Sequence, residues 1–191
     1  MSVKNIMIVG VGGQGTLLAS RILGNAVINA GLDVKVSEVH GMSQRGGSVV
    51  TYVKYGEKVE SPIVDKGCAD IILAFEELEA YRALPYLKKG GRMIVNTQQI
   101  NPMPVIIGAM DYPENICEKL SAVCDLTTVD AAALASEAGS IKAVNVVLIG
   151  VMATSTEIPY EEWIETIKST VPPKFTELNV KAFELGYNLK K

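Results

Sequence analysis

One histidine, one tryptophan and three cysteines in 191 residues leave this chain poor in groups that do chemistry by themselves. The cysteines, Cys68, Cys117 and Cys124, are odd in number and widely spaced, which excludes a disulfide framework and any cluster or zinc pattern. They read as small buried or half-buried apolar residues in a reducing cytoplasm, and no metal is expected. Positive charge is also scarce: 18 Lys and Arg face 21 Asp and Glu, for a net charge of −3. Without a basic stripe, nucleic acid and anionic membrane are excluded as partners. Long apolar runs are missing too. The greasiest window, "AVNVVLIGVMA" at 143–153, has 11 residues, too few to cross a bilayer. The apolar N-terminal stretch is broken at Gly10 and is not expected to act as a signal peptide.

What is present is apolar. A mean hydropathy of +0.24 is high for a soluble monomer, so either a sheet is covered on both faces or apolar surface is kept for another subunit. Residues 4–9 predict a buried parallel strand. From Gln14 the period changes, with Leu18, Ile22, Ala26 and Ala30 in one helical stripe, Leu23 and Val27 beside it, and Gly31 as the stop. "DVKVSEV" at 33–39 alternates as a second strand. Then the pattern departs from an ordinary dinucleotide fold, which would continue with a helix. Residues 43–47 read as a loop, Ser48 to Tyr55 as a strand, and Tyr55-Gly56-Glu57 as a turn into a short returning strand. Strand–helix alternation resumes with "ADIILAF", a helix from Glu76 to about Lys88 stopped by Gly90-Gly91, "RMIVNT", a short strand at "PVIIG", and a helix from Pro113 to about Ala122. "LTTVD" follows as a strand, and Asp130 is placed to cap an alanine-rich helix. A buried helix over 141–155, with a strand as the alternative its β-branched content leaves open, and two amphipathic helices, around Trp163 and Leu178, complete an α/β pattern. It is Rossmann-like, with a mostly parallel sheet, an antiparallel excursion after strand two and C-terminal helices.

Gly10-Val11-Gly12-Gly13-Gln14-Gly15 joins the first strand to the first helix, where free N–H groups and the positive helix end suit a phosphate. Gly10 permits the tight turn, Gly12 lets a ligand approach the backbone, and Gly15 lets the helix pack on the sheet. No Gly-Lys-Ser/Thr follows, so this is not a Walker loop; Gln14 instead sets a side-chain amide just inside the helix. Glu38, 23 residues after Gly15, stands where a ribose-binding acid belongs in a nicotinamide-binding fold. Against that reading, the third strand–helix unit is replaced by the excursion. His40, the one histidine, also lacks partners for hydride transfer and reads better as a local hydrogen-bonding group. A loop that only packs a helix closely is the remaining alternative.

"HGMSQRGGSVV" is the second informative stretch. Arg45 offers a planar fork for a carboxylate or phosphate, Ser43 and Gln44 add polar groups, and Gly46 and Gly47 free the backbone. Alone this would be a solvated hairpin tip. It leaves strand two at the same sheet edge as the first motif, where ligands of open parallel sheets collect. Tyr160 and Trp163 read as packing. Asn145, polar within the greasiest helix, needs a partner in a neighbouring loop or another subunit.

The pairing of "GVGGQG" with "HGMSQRGGSVV", together with "NVVLIG" at 145–150, resembles the gamma-type subunits of the 2-oxoacid:ferredoxin oxidoreductases over essentially the whole chain. Ser43-Gln44-Arg45-Gly46-Gly47 resembles the indolepyruvate (arylpyruvate) branch, that of the small (beta) subunit of indolepyruvate ferredoxin oxidoreductase. The resemblance implies one gamma-type domain over 1–191, with 155–191 as its helical C-terminal extension. It implies a non-autonomous subunit of an enzyme that oxidatively decarboxylates a 2-oxoacid, passes two electrons to ferredoxin and releases an acyl-coenzyme A. Thiamine diphosphate (TPP) and the Fe–S clusters are expected on a large partner subunit, ferredoxin is reached through the complex, and no catalytic residue is assigned to this chain. Gly10, Gly12, Gly13, Gln14 and Gly15 would form an anion loop towards coenzyme A or the cofactor site. Ser43, Gln44, Arg45 and Gly46 would frame the substrate entrance or the subunit seam. The competing readings are a pyruvate- or other 2-oxoacid-type gamma subunit, a stand-alone NAD(P) oxidoreductase, and a nucleotide- or acyl-CoA-sensing domain.

Overall fold

The structure is a computed structural model that describes residues 2–41 and 46–189. Six strands, β1 (Lys4–Val11), β2 (Asp33–His40), β3 (Ser48–Gly56), β4 (Ala69–Ala74), β5 (Leu87–Asn96) and β6 (Asp125–Val129), form one sheet in the order β2-β3-β1-β4-β5-β6. β1, β4, β5 and β6 pair in parallel, whereas β3 is antiparallel to both β1 and β2. The expected α/β architecture with its antiparallel excursion is therefore borne out. The excursion is an insertion: β3 slides between β1 and β2 and pushes β2 to the sheet edge.

Alternation along the strands sorts the two cores. Ile6 and Ile8 face one layer, built from α1 (Thr16–Asn29), α5 (Ala131–Ala138), α6 (Val144–Ala153), α7 (Tyr160–Thr170) and α8 (Thr176–Tyr187). Met7 and Val9 face the other, where α2 (Glu77–Ala83) and α4 (Ile116–Ser121) lie. In α1, Ile22, Leu23, Ala26 and Val27 are fully buried, as their spacing predicts. α6 is rich in β-branched residues, each costing up to about 0.7 kcal/mol against alanine in a helix. Val146, Val147, Leu148 and Ile149 are all fully buried, and burial at roughly 1.5–3 kcal/mol per side chain outweighs that preference. Trp163 packs on Phe183, and Tyr160 on Phe183 and Tyr187, as packing residues should. Asp130 caps α5 through the Ala133 N–H. Among the described residues no helix is long and apolar enough to cross a membrane.

Four local expectations are corrected. The returning strand after Gly56 is absent. Residues 57–68 join no ladder, and Asp33 holds them by accepting the Val59 N–H at 2.9 Å. The helix after β4 ends at Ala83, because Pro85 forces a 3-10 turn at Leu84–Tyr86. Gly90-Gly91 consequently do not stop a helix. They lie in β5 at a bulge, where the register jumps from Ala69↔Leu87 to Ile71↔Arg92. "PVIIG" is not a strand: its first three residues belong to the short helix α3 (Met103–Ile106), which Pro102 precedes, and it joins no ladder of the sheet. Cys68 is exposed rather than buried, whereas Cys117 and Cys124 are half-buried.

Candidate functional site

Parallel pairing of β1, β4 and β5 brings three strand ends to one edge, and the elbow 10–15 sits there. Gln14 turns back into the protein. Its Oε1 accepts the Val11 N–H at 2.7 Å, and its Nε2 donates to the Phe75 carbonyl at 3.0 Å and to Gln98 Oε1 at 3.2 Å. The side chain thus ties the elbow to the ends of β4 and β5. Gly10 makes room for this, since a Cβ there would lie 2.9 Å from Gln14 Oε1 and 3.0 Å from Phe75 Cβ. Asn96, 1% exposed, completes the network by donating to the Phe75 carbonyl and accepting the Ala131 N–H at 3.1 Å.

Gly13 and Gly15 take the left-handed conformation, with φ of 103° and 85°. Beyond them α1 opens without a side-chain cap. Among the described residues, no acceptor takes the N–H groups of Gly13, Gly15, Thr16 or Leu17. These are the orphan donors of a helix start, and they line the elbow's outer surface. Asn145 meets the need for a partner by donating to the Gly15 carbonyl at 3.4 Å, while its Oδ1 accepts the Val146 N–H.

The two motifs meet directly. Gly12 N–H donates to the Gly47 carbonyl at 2.9 Å, and Ser48 pairs with Val11 across the ladder. Gly46 is exposed beside them, while Ser43, Gln44 and Arg45 lie outside the described residues. Ser48 Oγ donates to Glu79 Oε2 at 2.5 Å, and Glu79 also holds Arg82. Two grooves flank the elbow. One, of about 380 Å³, runs from Gly12, Gly13 and Gly15 to Glu38 and His40. The other, of about 450 Å³, runs from Gly13, Gln14 and Gly15 to Gln98, Lys142 and Asn145. Glu38 accepts the Thr51 hydroxyl at 3.2 Å and stands one strand further from β1 than a ribose acid does in a dinucleotide fold, because β3 intervenes. His40 is exposed, with Nδ1 3.3 Å from the Gly41 carbonyl.

Sequence reasoning missed three buried acids at the end of β4: Glu76, Glu77 and Glu79, exposed by 1%, 8% and 3%. Acids in a helix's first turn are ordinarily solvated, so nothing in their pattern marks these. It missed Asn96 and Gln98 too, although the polar run "NTQQ" closing an apolar strand was an available signal. Burial raises the Glu76 carboxyl above the ordinary carboxylate range, against the N–H groups of Glu79 and Leu78 and the Tyr112 hydroxyl that accompany it. An acid raised on folding binds its proton more tightly in the native state. Stability therefore falls as pH rises from the ordinary carboxylate value through the raised one. Glu76→Gln keeps an acceptor for the Glu79 N–H, and it should flatten that fall in denaturant-unfolding curves taken from pH 4 to 8. A wild-type slope unchanged in the variant would remove Glu76 as its source. The Cys117 thiol is pushed up to about 11 by burial and by Glu77, which keeps it protonated and unreactive. Among the described residues, no group of three or more His, Cys, Asp or Glu could hold a metal ion.

The edge thus offers backbone donors, a positive helix end and two grooves, which is equipment for holding an anion rather than for breaking bonds. The family model for pyruvate ferredoxin/flavodoxin oxidoreductase matches residues 5–189. An indolepyruvate oxidoreductase subunit IorB from Thermococcus kodakarensis is 45% identical, covering 100% of this chain and 98% of its own. Among solved structures, the gamma subunit of a keto/oxoacid ferredoxin oxidoreductase from Geobacter sulfurreducens has a TM-score of 0.72 at 26% identity, with 96% of each chain covered. A 2-oxoglutarate:ferredoxin oxidoreductase from Magnetococcus marinus, with 2-oxoglutarate, coenzyme A and succinyl-CoA bound, shares the fold with a TM-score of 0.71 at 18% identity. The match covers 98% of this chain and 31% of that one. With the sheet, the elbow and the whole length in agreement, the chain belongs to the pyruvate ferredoxin/flavodoxin oxidoreductase family and is a subunit of an oxidoreductase complex.

Proposed function

We propose that this chain is the small subunit of an indolepyruvate:ferredoxin oxidoreductase and that its elbow forms one wall of the site where coenzyme A meets the 2-oxoacid. The observation that carries the reading is the set of N–H groups of Gly13, Gly15, Thr16 and Leu17, left without acceptors among the described residues and open to the grooves. A pyrophosphate is the chemical match for such a set. The coenzyme A bound in the Magnetococcus marinus enzyme supports the choice of ligand. Gly10, Gly12 and Gln14 shape and brace the loop, Gly13 and Gly15 present it, and Ser43, Gln44, Arg45 and Gly46 frame the substrate entrance or the seam. The large partner holds TPP and the Fe–S clusters, which supply the decarboxylation and the path of two electrons to ferredoxin. This chain orients the anion and excludes water around the reacting centre. Half-buried, unpaired thiols support a reducing cytoplasm. The single gamma-type domain over 1–191 is supported by α6 and α8 packing into the same core as the sheet.

In the complex assembled with the large subunit, Gly12→Val should raise the coenzyme A requirement at least tenfold while leaving the melting temperature of the isolated chain within a few degrees. A coenzyme A KM equal to wild type would show that the elbow holds no part of that ligand.

A further inference from the structure

The exposed apolar side chains are unevenly placed. Met103, Ile106, Ile107 and Met110 are 65%, 63%, 69% and 60% exposed on α3 and the turn after it. This platform leaves β5 at the same sheet edge as the elbow, and no charged residue occurs between Arg92 and Asp111. Leu17 and Ile141, 56% and 63% exposed, line the two grooves, and Val39, 54% exposed, lies at the same end of β2. Side chains of this size and exposure present on the order of 500 Å² on the platform alone, near the upper end of the largest apolar patch a typical monomer carries, and patches of that size are often binding sites. With Leu17, Ile141 and Val39 the total reaches on the order of 800 Å², about what one partner contributes to a stable interface. The remaining exposed large apolar side chains occur singly on separate elements: Val3, Ile28 and Val123 at the opposite edge, and Val36, Ile63, Tyr81 and Phe175 elsewhere.

We infer that this edge, centred on 102–110, is the docking face for an uncharged, apolar surface of the catalytic subunit. The inference rests on the functional reading above and adds where the partner sits. The platform follows in sequence on Gln98, which lines the second groove, so one partner covering both would bury the apolar area and close the site against water. Its lack of charge over 93–110 selects an occupant that also lacks charge there, since an unpaired charge in such a contact would be stranded without water.

The test uses the full chain and the purified catalytic subunit, with binding read by titration and mass by light scattering. Met103→Glu/Ile107→Glu should weaken assembly at least a hundredfold at an unchanged melting temperature. Ile28→Glu/Val123→Glu, on the far edge, should leave it within threefold of wild type. Wild-type assembly with both variants binding normally would overturn the inference and leave the functional reading standing. A wild-type chain that does not bind the catalytic subunit at all would overturn both. If the platform variant only converts a dimer of this chain to monomer, the occupant is a second copy and the inference fails.

Discussion

Gly150→Val and Gly186→Val are each expected to leave the chain unfolded at temperatures where the wild type is fully folded. These glycines sit where α6 crosses α8. A Cβ on Gly150 would overlap the Phe183 carbonyl oxygen and lie 2.9 Å from the Tyr187 N, and one on Gly186 would overlap the Val147 carbonyl oxygen. The obstacles are helix backbones, so no rotamer change relieves them and the helices must separate. α6 is buried along nearly its whole length, and separation opens the larger of the two cores. A loss of more than about 4–5 kcal/mol follows, a large part of the roughly 5–15 kcal/mol that stabilises a typical domain. Gly24→Ala supplies the contrast. Its Cβ would meet only Val36 Cγ2, at 3.9 Å, so alanine should be neutral or should stabilise α1 by about 0.5–1 kcal/mol. Circular-dichroism melts of the three variants check this. A Gly150→Val protein melting within a few degrees of wild type would show that α6 and α8 do not pack this closely.

The second large effect belongs to the elbow. Gly15→Ala meets two costs at once: a left-handed φ of 85°, and a Cβ 2.7 Å from Asn145 Nδ2. The backbone strain alone costs about 1–2 kcal/mol. The contact displaces an amide that the Gly15 carbonyl and the Val146 N–H hold in place. Together they should remove about 3 kcal/mol and raise the coenzyme A requirement of the assembled enzyme more than tenfold. Asn145→Ala in the same chain removes the obstacle but not the strain, so the double variant should be less destabilised than the sum of the singles by about 1 kcal/mol or more. Gly13→Ala, where a Cβ meets nothing within 4 Å, should show the strain cost alone. Strict additivity between positions 15 and 145 would contradict the contact.

Much of this arrangement was legible in the residues. The strand–elbow–helix unit announces itself through the change from an apolar run to a helical stripe. Asn145 was visible as a polar residue needing a partner, which proved to be the Gly15 carbonyl. Errors arose where tertiary context decides. Gly90-Gly91 serve a bulge as readily as a helix stop, and only the pairing of β5 with β4 distinguishes them. "PVIIG" has strand composition, but it joins no ladder, and Pro102 and Pro104 sit at the start of the helical turn it enters. The position of β3, between β1 and β2, follows from ladder pairing that no local pattern encodes. Glu76, Glu77 and Glu79 were hidden because first-turn acids are ordinarily solvated, whereas here β3 and the segment around Tyr112 and Gln99 cover them. Nothing in the local pattern marks Gly150 and Gly186; the crossing of α6 and α8 gives them their role.

The most direct measurement is a titration of the purified chain into a fixed amount of the large catalytic subunit, following arylpyruvate-dependent ferredoxin reduction with coenzyme A present. We expect no turnover from this chain alone, and a rate that climbs with each addition to a plateau at equivalence. A full rate from the large subunit without this chain, or turnover by this chain with nothing added, would contradict a division of labour between the two.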